Sequence, residues 1–196
     1  MGEIKSAREI AMEKLEKIGE ATDEELLKWK YVPEGEMLAA RFTREDCNLV
    51  TELSKYEEKE RKYVIDGAGD ILIRNINLPG SDKDRKNNKR AMDGLKTLKS
   101  DKVAVENVYS KIRRIFDHYA EQGEQQRKQA YESLKAEFAA RIQQAMQQQL
   151  GSAVKPNIDV ERQPQFQEEW QKLQTRMALQ YIKLLDEYKQ ELSSIS

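Results

Sequence analysis

Apolar side chains recur at steps of three and four along most of the chain, the spacing of one helix face. Ile4, Ala7, Ala11, Leu15 and Ile18 predict a first helix over Glu3 to Ile18, which Gly19 ends. Thr22 with Glu25 three residues later is a capping-box signal for a second helix bearing Leu26, Leu27 and Trp29, and Pro33 predicts its stop near Tyr31. Met37, Leu38 and Phe42 fit a further short helix or turn. Thr43 and Asp46 then offer another cap, and Leu49, Leu53, Tyr56, Glu60 and Tyr63 predict a helix from Arg44 to Val64.

The segment from Asp66 to Ser81 breaks the pattern. Asp66-Gly67-Ala68-Gly69-Asp70 predicts a turn, and Ile71 to Leu78 an extended strap or hairpin closed by Pro79 and Gly80. Ser81 with Asp84 caps a helical stretch that contains no proline up to Leu150, with Gly94 and Gly123 as candidate interruptions, and Gly151 to Gln165 is a proline-bearing loop. The last helix carries an eleven-residue repeat: Phe166, Trp170 and Leu173, then Met177, Tyr181 and Leu184, then Tyr188, Leu192 and Ile195. Such a period corresponds to about 3.67 residues per turn and predicts a nearly straight packing seam. The preceding helix echoes it with Ile112, Phe116 and Tyr119, then Gly123, Arg127 and Ala130, then Leu134, Phe138 and Arg141.

Two matching seams joined by a loop predict an antiparallel helical hairpin. The expected fold is therefore all-α: an elongated hairpin over 81–196 with its loop near 151–165, an acidic N-terminal helical segment over 1–65 packed against it, and one short extended segment near 70–78 within a strap over 66–80.

Composition narrows the chemistry. Hydrophobic residues are 38% and charged residues 35% of the 196, too apolar-poor for a compact core without exposed helices or a partner surface. Cys47 is the only cysteine, so no disulfide can form within the chain, and His118 is the only histidine, which excludes a His-rich zinc site. No window approaches the roughly 18 apolar residues of a membrane span, and the N-terminus lacks the apolar stretch of a secretory signal, so a soluble cytoplasmic protein is expected. All 16 glutamines lie between Gln122 and Gln190, where they suit solvated helix.

Charge is segmented: residues 1–66 are net −5, 67–120 net +5 and 121–196 net −1. The basic block supplies the candidate polyanion-binding residues Lys83, Arg85, Lys86, Lys89, Arg90, Lys96, Lys99, Arg113 and Arg114, spaced cations of the kind phosphate contacts need. No helix-turn-helix or zinc finger accompanies them, so base readout is unsupported. Asp117 and His118 are adjacent and point about 100° apart on a helix, so they form no relay with each other. With no nucleophile and base pair, metal cluster or cofactor loop, the sequence predicts neither catalytic residues nor a cofactor, and a non-enzymatic protein.

The opening Gly2-Glu3-Ile4-Lys5-Ser6-Ala7 together with the stretch from Asp66 to Ser81 resembles a group of uncharacterised bacterial proteins of about this length, which brings no assigned activity. The alanine- and glutamine-rich helices are also similar to the peripheral-stalk helices of rotary ATPases. Those stalk subunits end in a mixed α/β domain, whereas helical pattern here runs to the last residues. The functional expectation is a helical scaffold or adaptor that self-associates or docks a protein partner through Phe166, Trp170, Leu173, Met177, Tyr181, Leu184, Tyr188, Leu192 and Ile195. The alternatives are polyanion or nucleic-acid binding through 83–114, and a stalk-like component of a larger assembly.

Overall fold

A computed structural model describes residues 21–45, 47–150 and 159–195. The helix expected over Glu3 to Ile18 lies outside the described residues. Among the described residues six α-helices follow one another: α1 Asp23–Arg44, α2 Leu49–Leu53, α3 Glu58–Arg74, α4 Asp82–Leu98, α5 Lys102–Leu150 and α6 Pro164–Ser194, with a 3-10 turn at Val160–Arg162 before the last. No strand occurs among the described residues, and the fold is all-α.

The chain divides into two compact units. Of the described residues, the first comprises 21–45, 47–76, 86–105 and 193–195, and the second comprises 77–85, 106–150 and 159–192.

In the first unit, α1 starts where the local chemistry places it. The Thr22 hydroxyl accepts from the Glu25 backbone N–H, and the Glu25 carboxylate accepts the Thr22 N–H at 2.8 Å. Pro33 does not stop this helix: it lies inside α1, as do Met37, Leu38 and Phe42. Pro33 is exposed, while Tyr31, Gly35, Leu38 and Ala39 are buried. The proline ring removes one backbone donor on the watered side, and packing of the opposite side carries the helix past it.

Thr43 likewise lies within α1, its hydroxyl donating to the Ala39 carbonyl at 2.8 Å, and Asp46 lies outside the described residues. The cap of the next helix is Asn48, whose side chain accepts from the Val50 and Thr51 N–H groups. The helix expected over 44–64 is thus two, separated at 54–57.

The largest departure is at Asp66 to Ser81. Gly67, Ala68 and Gly69 are buried inside α3, which continues to Arg74, and only 75–81 is a non-helical connection. Gly67, with Gly35 of α1, serves a helix crossing. A methyl group on Gly35 would sit 2.1 Å from the Val64 carbonyl oxygen, and one on Gly67 2.1 Å from that of Val32. The backbones of α1 and α3 therefore touch, as small residues allow, and this contact offsets the intrinsic cost of glycine in a helix, about 1 kcal/mol each. Around the crossing Val64, Ala68, Leu72, Ala91 and Leu95 are fully buried.

Ser81 and Asp84 form the expected cap of α4: the Ser81 hydroxyl accepts from the Asp84 N–H. The stretch from 81 to 150 is two helices, and the break falls at 99–101, where the Asp101 carboxylate takes the Ala104 N–H at 2.8 Å and caps α5. Gly123 does not interrupt α5. It is buried; a methyl there would meet the Tyr181 hydroxyl of the facing helix at 3.6 Å, an ordinary contact, and the Arg127 guanidinium of its own helix at 3.0 Å.

The second unit contains an antiparallel hairpin of α5 and α6. Pairing runs from Phe138 against Phe166, through Tyr131 against Trp170 and Tyr119 against Tyr181, to Lys111 against Glu191. Pro164 occupies the first turn of α6, where its missing N–H has no helical partner to lose.

Candidate functional site

The aromatic contacts show what the eleven-residue repeat does. Phe166, Tyr181 and Leu192 are buried, and Trp170, Leu173, Met177, Tyr188 and Ile195 are half-buried. Tyr131 meets Phe166 and Trp170 edge-on, with ring centroids 5.5 and 5.1 Å apart. Much of the seam thus packs within the chain.

Leu184 departs from its row. It is 39% exposed, whereas its neighbour Leu185, outside the repeat, is 2% exposed. The packed side of α6 thus drifts from the Leu173 row toward Leu185, by more than the roughly 20° that an unstrained helix accumulates per eleven residues.

That drift leaves a groove of about 480 Å³ between α5 and α6. One wall is Tyr181, Leu184 and Tyr188, with Gln180 beside them, and Ile115 lies on the other helix. Along α5 the wall is basic: Lys111, Arg114 and His118 lie three and four residues apart, on one stripe of the helix. The His118 Nδ1 lies 2.9 Å from the Tyr181 hydroxyl, and their rings are 5.7 Å apart. At the end of the groove the Lys111 ammonium donates to both Glu191 carboxylate oxygens at 2.9 Å and lies 5.4 Å from the Tyr188 ring. Arg114 is exposed and forms no ion pair with a described residue.

The basic residues predicted to bind polyanions differ in what engages them. The Arg90 guanidinium donates to the Phe42 and Glu45 carbonyls and stacks on the Phe42 ring at 5.2 Å, closing the C-terminal end of α1. Lys99 donates to the carbonyls of Ser193 and Ile195, and burial holds its pKa below the ordinary lysine value. Arg113 pairs with Glu106, and Lys102, though not among the predicted contacts, donates to the carbonyls of Lys96, Thr97 and Lys99 at the end of α4. Lys96 is half-buried. Lys83, Arg85, Lys86 and Lys89 remain exposed on α4. Lys86 and Lys89, with Arg90, border a separate hollow of about 680 Å³ that Cys47, Asn48, Val50 and Asp93 also line.

Sequence reasoning did not bring His118 to Tyr181, 63 residues away; only the shared register of the two helices could have signalled it. Among the described residues no group of three His, Cys, Asp or Glu side chains is placed to hold a metal ion. No helix among them is long and apolar enough to cross a membrane. Further apolar side chains are exposed on α1, at Leu26, Trp29 and Met37, and on α6, at Leu179 and Ile182.

Capped helices followed by a hairpin define an all-α protein. The chain belongs to a family of unknown function, DUF6657, whose model matches residues 50–194. No curated protein and no solved structure matches it.

Proposed function

We propose that this protein is a non-enzymatic helical scaffold that docks another polypeptide along the open edge of its α5–α6 hairpin. The observation that carries the reading is Leu184, a large apolar side chain left at the surface between half-buried Met177 and Tyr188, at helical spacing. Exposed apolar surface with a polar rim is the usual mark of a contact site. The inward face of the same helix stabilises the hairpin, so the contact surface is held in place by folded structure.

A photo-crosslinking residue placed at 184 in the full chain tests this in its native cell. Expected is a discrete adduct that is absent when the same residue replaces exposed Gln174. Equal labelling at both positions, or none at 184, refutes it.

A second reading, polyanion binding, is supported by Lys86 and Lys89, exposed cations three residues apart on α4. Charge reversal at Lys86 and Lys89 should then abolish retention of a DNA duplex in a low-salt mobility-shift assay. No retention by the unaltered chain removes this reading.

A further inference from the structure

The groove beside Leu184 is chemically two-sided, and this two-sidedness specifies an occupant. On α6, Tyr181, Leu184 and Tyr188 stand at i, i+3 and i+7; on α5, Lys111, Arg114 and His118 stand at the same spacing. Two neighbouring stripes with helical periodicity, one apolar and one basic, match a third helix whose apolar stripe is flanked by carboxylates. No acidic side chain lines the groove. Lys111 is already held by Glu191 at one end and the His118 Nδ1 by the Tyr181 hydroxyl, which leaves Arg114 and the second ring nitrogen of His118 to face an incoming chain.

We infer that the α5–α6 groove receives an acidic amphipathic helix of a partner protein, its apolar side on Leu184 and Tyr188 and its carboxylates on Arg114 and His118. This rests on the scaffold reading above and names the partner's chemistry. A second copy applying the same groove to itself offers no carboxylate to Arg114 or His118, because the lining carries none, and charge complementarity disfavours that arrangement.

The test uses the full chain and two labelled synthetic peptides of equal length and helicity. Each carries a leucine stripe at i, i+3 and i+7, flanked by glutamate in one and by lysine in the other, and binding is read by fluorescence anisotropy. The glutamate peptide should bind at least tenfold tighter, with affinity that falls as salt rises. Arg114→Glu with His118→Glu should reverse the preference, and Leu184→Asp should abolish binding of both peptides. All three positions are exposed, so an unchanged melting curve establishes that the variants fold.

Equal affinity for the two peptides, with Leu184→Asp still abolishing both, overturns the acidic partner and leaves the scaffold reading standing. Binding indifferent to Leu184→Asp, together with no specific adduct at 184, overturns both. A dimer mass for the unaltered chain that Leu184→Asp converts to monomer assigns the groove to a second copy and also overturns the inference.

Discussion

Replacing Gly67 by alanine adds one methyl group where the Val32 carbonyl oxygen is 2.1 Å away. Carbon atoms at that position essentially never approach closer than 3.0 Å, so α1 and α3 must separate by nearly 1 Å. The obstacle is backbone, and no rotamer change relieves it. A gap of that size forfeits a quarter to a half of each dispersion contact across the crossing, where Val64, Ala68 and Leu72 are fully buried. Alanine recovers about 1 kcal/mol of helix propensity, and overpacking costs about 1–3 kcal/mol or more. Because the contact is backbone on backbone, we expect a net loss of about 2–3 kcal/mol at the upper end of that range. Gly69, two residues along the same helix, is the internal control: its added methyl would find Leu95 Cδ1 at 3.8 Å, an ordinary contact. Gly69→Ala should therefore stabilise, by up to about 1 kcal/mol. Urea denaturation of both variants, followed by far-ultraviolet circular dichroism, measures the pair. A neutral or stabilising Gly67→Ala would refute the close crossing.

Three further outcomes follow from named contacts. Leu185→Ala should cost about 2–5 kcal/mol because it empties a buried site, whereas Leu184→Ala should change melting little; equal effects would restore the strict eleven-residue register. Arg90→Met removes the donors to the Phe42 and Glu45 carbonyls, and should cost about 1–3 kcal/mol in urea, with no loss meaning that water serves those carbonyls equally well. The Glu25 carboxyl is held below its ordinary pKa chiefly by the Thr22 backbone N–H, and further by the Thr22 hydroxyl. Its folded pKa is depressed, so its contribution is complete above the unfolded value near 4.3 and is lost as pH falls through the lower folded value. The stability difference between the unaltered chain and Glu25→Gln should accordingly shrink with acidification below that point, and a difference independent of pH across that range would contradict the cap.

What was legible in the sequence was local chemistry and long periodicity. The caps at Thr22 and Ser81 depend on residues three apart, and both form. The aromatic rows of the last two helices are long enough to identify a hairpin despite the drift at Leu184. Pro33 and Gly67 escape a local reading for one reason: their effect depends on what faces them. Local preference assigns a break to each, but packing between α1 and α3 overrides it, because the exposed side of α1 tolerates a missing donor and the α3 backbone needs small residues. The basic stretch was visible as charge. Its division was not, since the carbonyls that engage Arg90 and Lys99 belong to residues 45 to 96 positions away.

The hairpin's aromatic contacts are concentrated near its turn, which bears on the order in which the chain assembles. Phe138 and Phe166 are 28 residues apart, Tyr119 and Tyr181 are 62, and Lys111 and Glu191 are 80. The entropy of closing a loop rises with its length, so the contacts nearest the turn form at least cost, and each one shortens the loop left for the next. We therefore expect the helices to zip from Phe138 toward Lys111, with a salt bridge fastened last. Pulsed hydrogen exchange during refolding should protect amides around 131–142 and 166–173 before those around 108–115 and 185–192; the reverse order would show that the open end nucleates instead.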